Sequence, residues 1–295
     1  MSLISSSGNR HDGAFMKGDR LVPTSRDHAY EMTKKPTVVF LPGSFASDEI
    51  YFDVRDAVIK RGIDARVLPL PSVRLGPDDH RPLPDMFDDA AAISQEVERL
   101  ADEGRDVILV SSSYSGVPKT QSCEGLGRVE RERKGKSGGL ATLAYMSSII
   151  PQLDQASTEI LVDVPLDHVI PMDCDDDGWL KIDPIDYAHS GFLVFSNLPK
   201  DQQMAWARKT AQHSSKAFGS KVTFLSYTIP EVALEVLFSE NDKVISPKNQ
   251  RLGIERLEKY SGKAVGVTSV AGDHAPHISM QEQVVDWLVK IAETC

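Results

Sequence analysis

Three short stretches carry the residue types from which a covalent acyl-transfer site is built: DVILVSSSYSGVP at 106–118, LEVLFSENDKVISP at 234–247 and SVAGDHAPHIS at 269–279. A serine becomes a nucleophile when a base takes its proton, an acid orients that base, and N–H donors await the oxyanion. The first stretch offers Ser111, Ser112, Ser113 and Ser115 at the end of an apolar run. A strand-to-helix turn that exposes a nucleophile is usually spelled Gly-x-Ser-x-Gly, because small flanking residues let the turn close. Centred on Ser113, the flanks are Ser111 and Ser115; centred on Ser115, they are Ser113 and Val117. Ser112 would be flanked by Val110 and Tyr114, and Ser111 by Leu109 and Ser113. Ser113 alone has small residues on both sides and is the expected nucleophile.

The second and third stretches supply the partners. Glu240 and Asp242 follow the apolar run LEVLFS, and the shorter Asp242, leading into an apolar helix start, is the preferred acid. Asp273, His274 and His277 follow AVGVTSV, and His274, nearest the end of that run, is the preferred base over His277.

These residues need elements to hold them. TVVFLPG (37–43) reads as a strand, followed by a helix that Ser47 can cap and in which Tyr51, Val54 and Val58 share a face before Gly62. ARVLPLPS (65–72) reads as a strand that ends at its prolines. A helix starts near Asp85, with an apolar line through Met86, Ala90, Ile93, Val97 and Leu100, and stops at Gly104. VILV (107–110) is a continuous apolar run, as a strand buried on both faces requires. A helix over about 114–126, strands at 140–150, 234–239 and 264–270, and a helix from Ser246-Pro247 to Leu257 follow. The last helix is expected to begin at Ser279, where S-M-Q-E matches a capping box. Strands alternating with helices imply an α/β fold with a mainly parallel sheet covered on both faces.

Residues 151–230 break this rhythm with polar, acidic and aromatic pieces and a helix expected over 201–218. They read as an insertion between the core segments 36–150 and 231–295, forming a lid over the carboxyl edge of the sheet, where open α/β sheets bind ligands. Trp179, Trp206 and Tyr187 are candidates either to line an apolar pocket or to fill the lid's own core, while His189 and His213 read as hydrogen-bonding residues of the lid. Residues 1–35 are polar and read as a loosely held arm.

From about Lys35 to its end the chain resembles an α/β-hydrolase, and PGS (42–44), SSSYSGVP (111–118), SENDKVIS (239–246) and GDHAPH (272–277) carry the resemblance. The Ser-Tyr pair, followed by a small residue and Gly116, is similar to the G-H-S-Y-G-G elbow of the branch with plant methylesterases and hydroxynitrile lyases, a spelling shared by fungal hydrolases of natural-product pathways. The resemblance implies a triad in the chain order serine, acid, histidine, here Ser113, Asp242 and His274. It also implies an oxyanion hole from the backbone N–H groups of Tyr114 and Ser44. The expected chemistry is hydrolysis of an ester, thioester or lactone of a small apolar molecule through an acyl-enzyme, with no cofactor. Two alternatives keep the pocket: a lyase, cyclase or C–C hydrolase on the same scaffold, and a non-catalytic binding protein.

Composition narrows the partners. With 33 Lys and Arg against 43 Asp and Glu, the net charge of −10 gives no reason to expect nucleic acid or an anionic membrane. The one basic cluster, RVERERKGKSGG (128–139), is interleaved with glutamates and reads as a solvated helix end and loop. Three scattered cysteines (Cys123, Cys174, Cys295) form neither a disulfide framework nor a zinc site. No run approaches a membrane span, and the first twenty residues lack an apolar core of signal-peptide length, so a cytoplasmic protein is expected. DCDDDG (173–178) has calcium-loop spacing, but Pro184 stands where a bidentate glutamate belongs, and an acidic turn is the expected reading. His274 and His277 on one loop have no matching third cluster for a metal. GLGRVE follows a helix rather than a strand and is no phosphate loop.

Overall fold

Strands buried on both faces have no polar side to alternate with, so the aliphatic runs form the inner strands of the sheet. The structure is a computed structural model that describes residues 36–74, 76 and 79–295; the arm expected at 1–35 lies outside the described residues. The strands are β1 (Thr37–Leu41), β2 (Asp64–Val67), β3 (Asp106–Ser113), β4 (Gly139–Ser148), β5 (Asp173–Cys174), β6 (Trp179–Lys181), β7 (His213–Ser214), β8 (Ala233–Ser239) and β9 (Gly266–Val270). The helices are α1 (Phe52–Lys60), α2 (Met86–Asp102), α3 (Gly116–Gln121), α4 (Arg128–Glu132), α5 (Tyr187–Val194), α6 (Lys200–Ala207), α7 (Pro247–Ser261), α8 (Pro276–Ser279) and α9 (Gln281–Thr294). Among the described residues no helix is long and apolar enough to cross a membrane.

Six strands pair in the order β2-β1-β3-β4-β8-β9, all parallel. The chain leaves β1 toward β2 on one side and returns to β3 on the other, so the carboxyl ends of β1 and β3 form the crevice where such sheets bind ligands. Alternate residues of β3 feed two cores. Ile108 and Val110 pack with Val54 and Val58 of α1 and with Trp287, Leu288 and Ile291 of α9. Val107 and Leu109 pack with Ile93, Val97 and Leu100 of α2 and with Leu257 of α7.

Where a side chain satisfies the orphan N–H groups, helix starts follow the sequence. Asp85 accepts from Phe87 and Asp88 N–H, and Ser246 accepts from Asn249 N–H ahead of Pro247. Elsewhere tertiary contacts decide. Ser47 makes no cap bond, and a 3-10 turn at Asp48–Tyr51 precedes α1. Ser279 does not cap the last helix: its hydroxyl donates to Asp273 at 2.7 Å, and the chain breaks at Met280 into α8 and α9. The helix expected at 201–218 stops at Ala207, because 213–214 pairs as β7 with β6 and Ser215–Phe218 closes as a 3-10 turn. The helix expected over 114–126 is likewise split: α3 ends at Gln121, Cys123 takes a positive φ of 68°, and α4 starts at Arg128. The basic cluster is only partly solvated, since Arg131 is buried and donates to Asp102 at 2.6 Å and to the Gly138 carbonyl at 3.0 Å.

Candidate active site

The chain ends β3 at Ser113 with φ at 54°, a left-handed conformation that a residue with a Cβ adopts only when its surroundings impose it. Those surroundings are specific. The Ser113 carbonyl accepts from Ile149 N–H at 2.9 Å, Ser112 carbonyl from Ser115 N–H at 3.2 Å, and Tyr114 carbonyl from Val117 N–H at 2.8 Å. Opposite lies the turn after β1, where a Cβ on Gly43 would come within 3.1 Å of Ser113 Cβ.

The hydroxyls that replace the usual glycines are built in rather than tolerated. Ser115 Oγ lies 2.8 Å from both the Leu41 and Ser112 carbonyls and accepts from Ser112 N–H at 2.9 Å. Ser111 Oγ is 2.8 Å from Ser148 Oγ. The position without room is one residue later: a Cβ on Gly116 would stand 2.0 Å from the Ile149 carbonyl oxygen.

Asp242 follows β8 and His274 follows β9, and adjacent parallel strands bring the two loops together. His274 Nδ1 lies 3.1 Å from Asp242 Oδ1 and 3.0 Å from Oδ2. Asp242 is buried, and its Oδ1 also accepts from Val244 N–H at 2.8 Å and Ile245 N–H at 2.9 Å, so its own loop fixes its orientation. Glu240, the alternative acid, is exposed. Asp273 shapes the turn instead, accepting from Asn197 N–H, Ala275 N–H and Ser279 Oγ, and burial raises its pKa despite those bonds.

Ser44, Ser113, Tyr114 and His274 line one cavity of about 330 Å³. Ser113 and His274 share its wall without a direct hydrogen bond. Among the described residues neither Ser44 N–H nor Tyr114 N–H has an acceptor. The rest of the wall is largely apolar, with Leu161, Ile170, Val194, Phe195, Trp206 and Phe218 contributed between β4 and β8. Trp206 is therefore a cavity residue, while Trp179 is buried under Arg74 and Arg81, whose guanidinium carbons stand 5.4 and 5.9 Å from its ring, and Tyr187 is outside the lining. His189 meets the Val169 carbonyl at 3.1 Å, and buried His213 accepts from Phe45 N–H at 3.4 Å. In the acidic turn, Asp175 accepts from Asp177 and Trp179 N–H and so closes the β5–β6 connection.

From sequence, Tyr51 has no signal beyond its apolar helix face, and His277 stands only as the less favoured base and as a metal candidate without a third cluster. Tyr51 is stacked on His277 with centroids 4.2 Å apart and planes 6° from parallel. Burial pushes the pKa of its hydroxyl up to about 12. Both ring nitrogens of His277 are buried without a partner, and burial, with His274 nearby, pushes its pKa down to about 3. A folded value depressed below the unfolded 6.5 makes its contribution to stability complete above about pH 6.5 and progressively lost as pH falls toward 3. His277→Phe, which keeps the stack on Tyr51, is therefore expected to flatten the dependence of unfolding free energy on pH by about 1.4 kcal/mol per unit between pH 6 and 4. Urea midpoints of both proteins at several pH values read the difference, because His213, Asp89 and Asp273 titrate in both. Parallel curves would show that His277 takes up its proton in the folded state.

A family model described as the alpha/beta hydrolase family matches residues 38–287. "Probable hydrolase R7" of Phoma sp. is 28% identical over 260 residues, spanning 88% of this chain and 98% of its own. Among solved structures, a pyrethroid hydrolase from Sphingobium faniae superposes with a TM-score of 0.65 at 17% identity, over 88% of this chain and 97% of its own. Polyneuridine aldehyde esterase does so with a TM-score of 0.65 at 14% identity, over 88% of this chain and 99% of its own. With the parallel sheet, the strained turn after β3 and a family match over most of its length, the chain belongs to the alpha/beta hydrolase family.

Proposed function

We propose that this chain is a serine hydrolase that cleaves an ester, thioester or lactone of a small, largely apolar molecule. The observation that carries this reading is the two-oxygen contact of Asp242 with His274 Nδ1 on the wall of the cavity that Ser113 also lines. Ser113 Oγ attacks the carbonyl carbon while its proton passes to His274 Nε2. The carbonyl oxygen, now an anion, takes the free N–H groups of Ser44 and Tyr114. His274 then gives the proton to the departing alcohol, thiol or hydroxyl as the carbon–heteroatom bond breaks. Water, deprotonated by the same histidine, releases the acid and restores Ser113. Asp242 holds the tautomer with Nδ1–H, so Nε2 is the basic nitrogen throughout. No step uses a cofactor.

The apolar wall supports the substrate class, and the relatives named as a pyrethroid hydrolase and a polyneuridine aldehyde esterase fit the same reading. Residues 151–230 act in it as the lid, since they supply most of the apolar lining. The test is intact mass and peptide mapping after exposure to a fluorophosphonate, with Ser113→Ala and His274→Ala as controls. A single adduct on Ser113 that both variants lose is the expected result. A folded wild-type chain that takes no adduct would turn the reading toward a lyase, cyclase or binding role.

A further inference from the structure

The residue after the nucleophile is anchored from behind by a buried carboxylate. Tyr114 is 1% exposed, and its hydroxyl donates to Asp89 Oδ2 at 2.7 Å. Asp89, in the first turn of α2, is wholly buried and accepts from Ser72 N–H at 2.8 Å and Ser72 Oγ at 2.6 Å. The Tyr114 ring meets His213 edge-on, centroids 4.9 Å apart at 80°, and Phe218 at 5.2 Å. Ser72 is tied in turn to β7, its carbonyl accepting from Ser214 N–H at 2.8 Å. A core tyrosine needs only one acceptor for its hydroxyl, and a backbone carbonyl would serve. Here an ionisable group is buried for the purpose, and burial raises its pKa to about 6.

We infer that Asp89 is a positioning residue, acting through the Tyr114 hydroxyl to hold the Tyr114 peptide so that its N–H points at the oxyanion. The inference rests on the hydrolase reading above. Its physical basis is the steep dependence of oxyanion stabilisation on donor placement. The Tyr114 N–H shares its peptide with the Ser113 carbonyl, which accepts from Ile149 N–H at 2.9 Å, so the tilt left to the N–H end is a shift of the Tyr114 Cα. A side chain pinned at its far end removes the tilt. Its near end is held by the Tyr114 carbonyl's bond to Val117 N–H.

Tyr114→Phe deletes the hydroxyl and keeps the ring; Asp89→Asn, its oxygen kept on Ser72 N–H, puts an amide nitrogen where Oδ2 accepts from that hydroxyl. With p-nitrophenyl esters of increasing acyl length, each variant is expected to lose about 10- to 100-fold in kcat with KM within about twofold. The double variant should be no worse than the more impaired single one. The second readout is a trifluoromethyl ketone, to whose carbonyl carbon Ser113 Oγ bonds while its proton passes to His274, leaving the carbonyl oxygen as an anion. Its affinity should fall by the same factor as kcat, while the matching methyl ketone binds as to the wild type. Variants that fold, keep kcat within about threefold and bind the trifluoromethyl ketone normally would overturn the inference. A lowered thermal midpoint with unchanged kcat per folded molecule would overturn it equally. Should Asp89→Asn fail to fold, Tyr114→Phe decides alone. Wild-type labelling at Ser113 beside unimpaired variants removes this inference only, whereas a wild-type chain that neither labels nor hydrolyses removes the reading beneath it.

Discussion

Asp242→Asn is expected to lower kcat by about 10⁴-fold with little change in thermal stability. The contrast follows from which oxygen does what. Oδ1 accepts from Val244 and Ile245 N–H, and an asparagine that keeps its oxygen there keeps the loop. Its amide nitrogen then takes the place of Oδ2, 3.0 Å from His274 Nδ1, while the kept oxygen, 3.1 Å away, is already shared with two backbone N–H groups. With a donor in the nearer place and the carboxylate charge gone, the balance moves to the tautomer that accepts at Nδ1 and carries its proton on Nε2. In that tautomer the nitrogen nearest the substrate is a donor and cannot take the proton of Ser113. Steady-state hydrolysis of an ester that the wild type turns over, together with the rate of fluorophosphonate labelling, measures the loss. A variant within about tenfold of wild type would mean that the Asp242–His274 contact holds the loops together and that the base is elsewhere.

The parts of this site that could be read from sequence are those fixed locally. VVFL and VILV announce strands buried on both faces, and chain order alone puts Asp242 and His274 just past neighbouring strands. Asp85 and Ser246 could be read as caps because their partners lie within three residues. Ser279 could not, since its hydroxyl is taken by Asp273, a bond set by the fold of the loop. Nor could the end of α6, because pairing of Ser214 with Trp179, which lies 35 positions earlier in the chain, overrides the helical pattern of 201–218. Tyr114 and Asp89 are separated by 25 residues and meet only when α2 packs behind the turn. Ser115 makes the same point for residue type: as a letter it is a hydroxyl where glycine is usual, and in place it ties β1 to the turn.

That tie moves the demand for glycine to position 116, where an added Cβ would make the closest contact of any glycine among the described residues and Gly116→Ala is expected to be severely damaging. A Cβ there would lie 2.0 Å from the Ile149 carbonyl oxygen and 2.3 Å from Ser148 Oγ, distances no side chain tolerates. The Ser148 hydroxyl can rotate away, but the carbonyl belongs to the backbone that leaves β4, and Ile149 N–H is bonded to the carbonyl of Ser113. Moving that strand end by more than 1 Å therefore displaces Ser113 itself. The expected cost is about 3 kcal/mol or more in urea unfolding, against a gain of about 1 kcal/mol in helix propensity, with Ser113 labelling lost in whatever fraction folds. Ser115→Gly is the discriminating partner. It restores the usual glycine and removes bonds to Leu41 and Ser112, at an expected cost of about 1–2 kcal/mol and with labelling kept. If Gly116→Ala were instead the milder change, α3 would have to lift off β4 without disturbing Ser113, and the turn would be held by its serines rather than by its close approach to the strand.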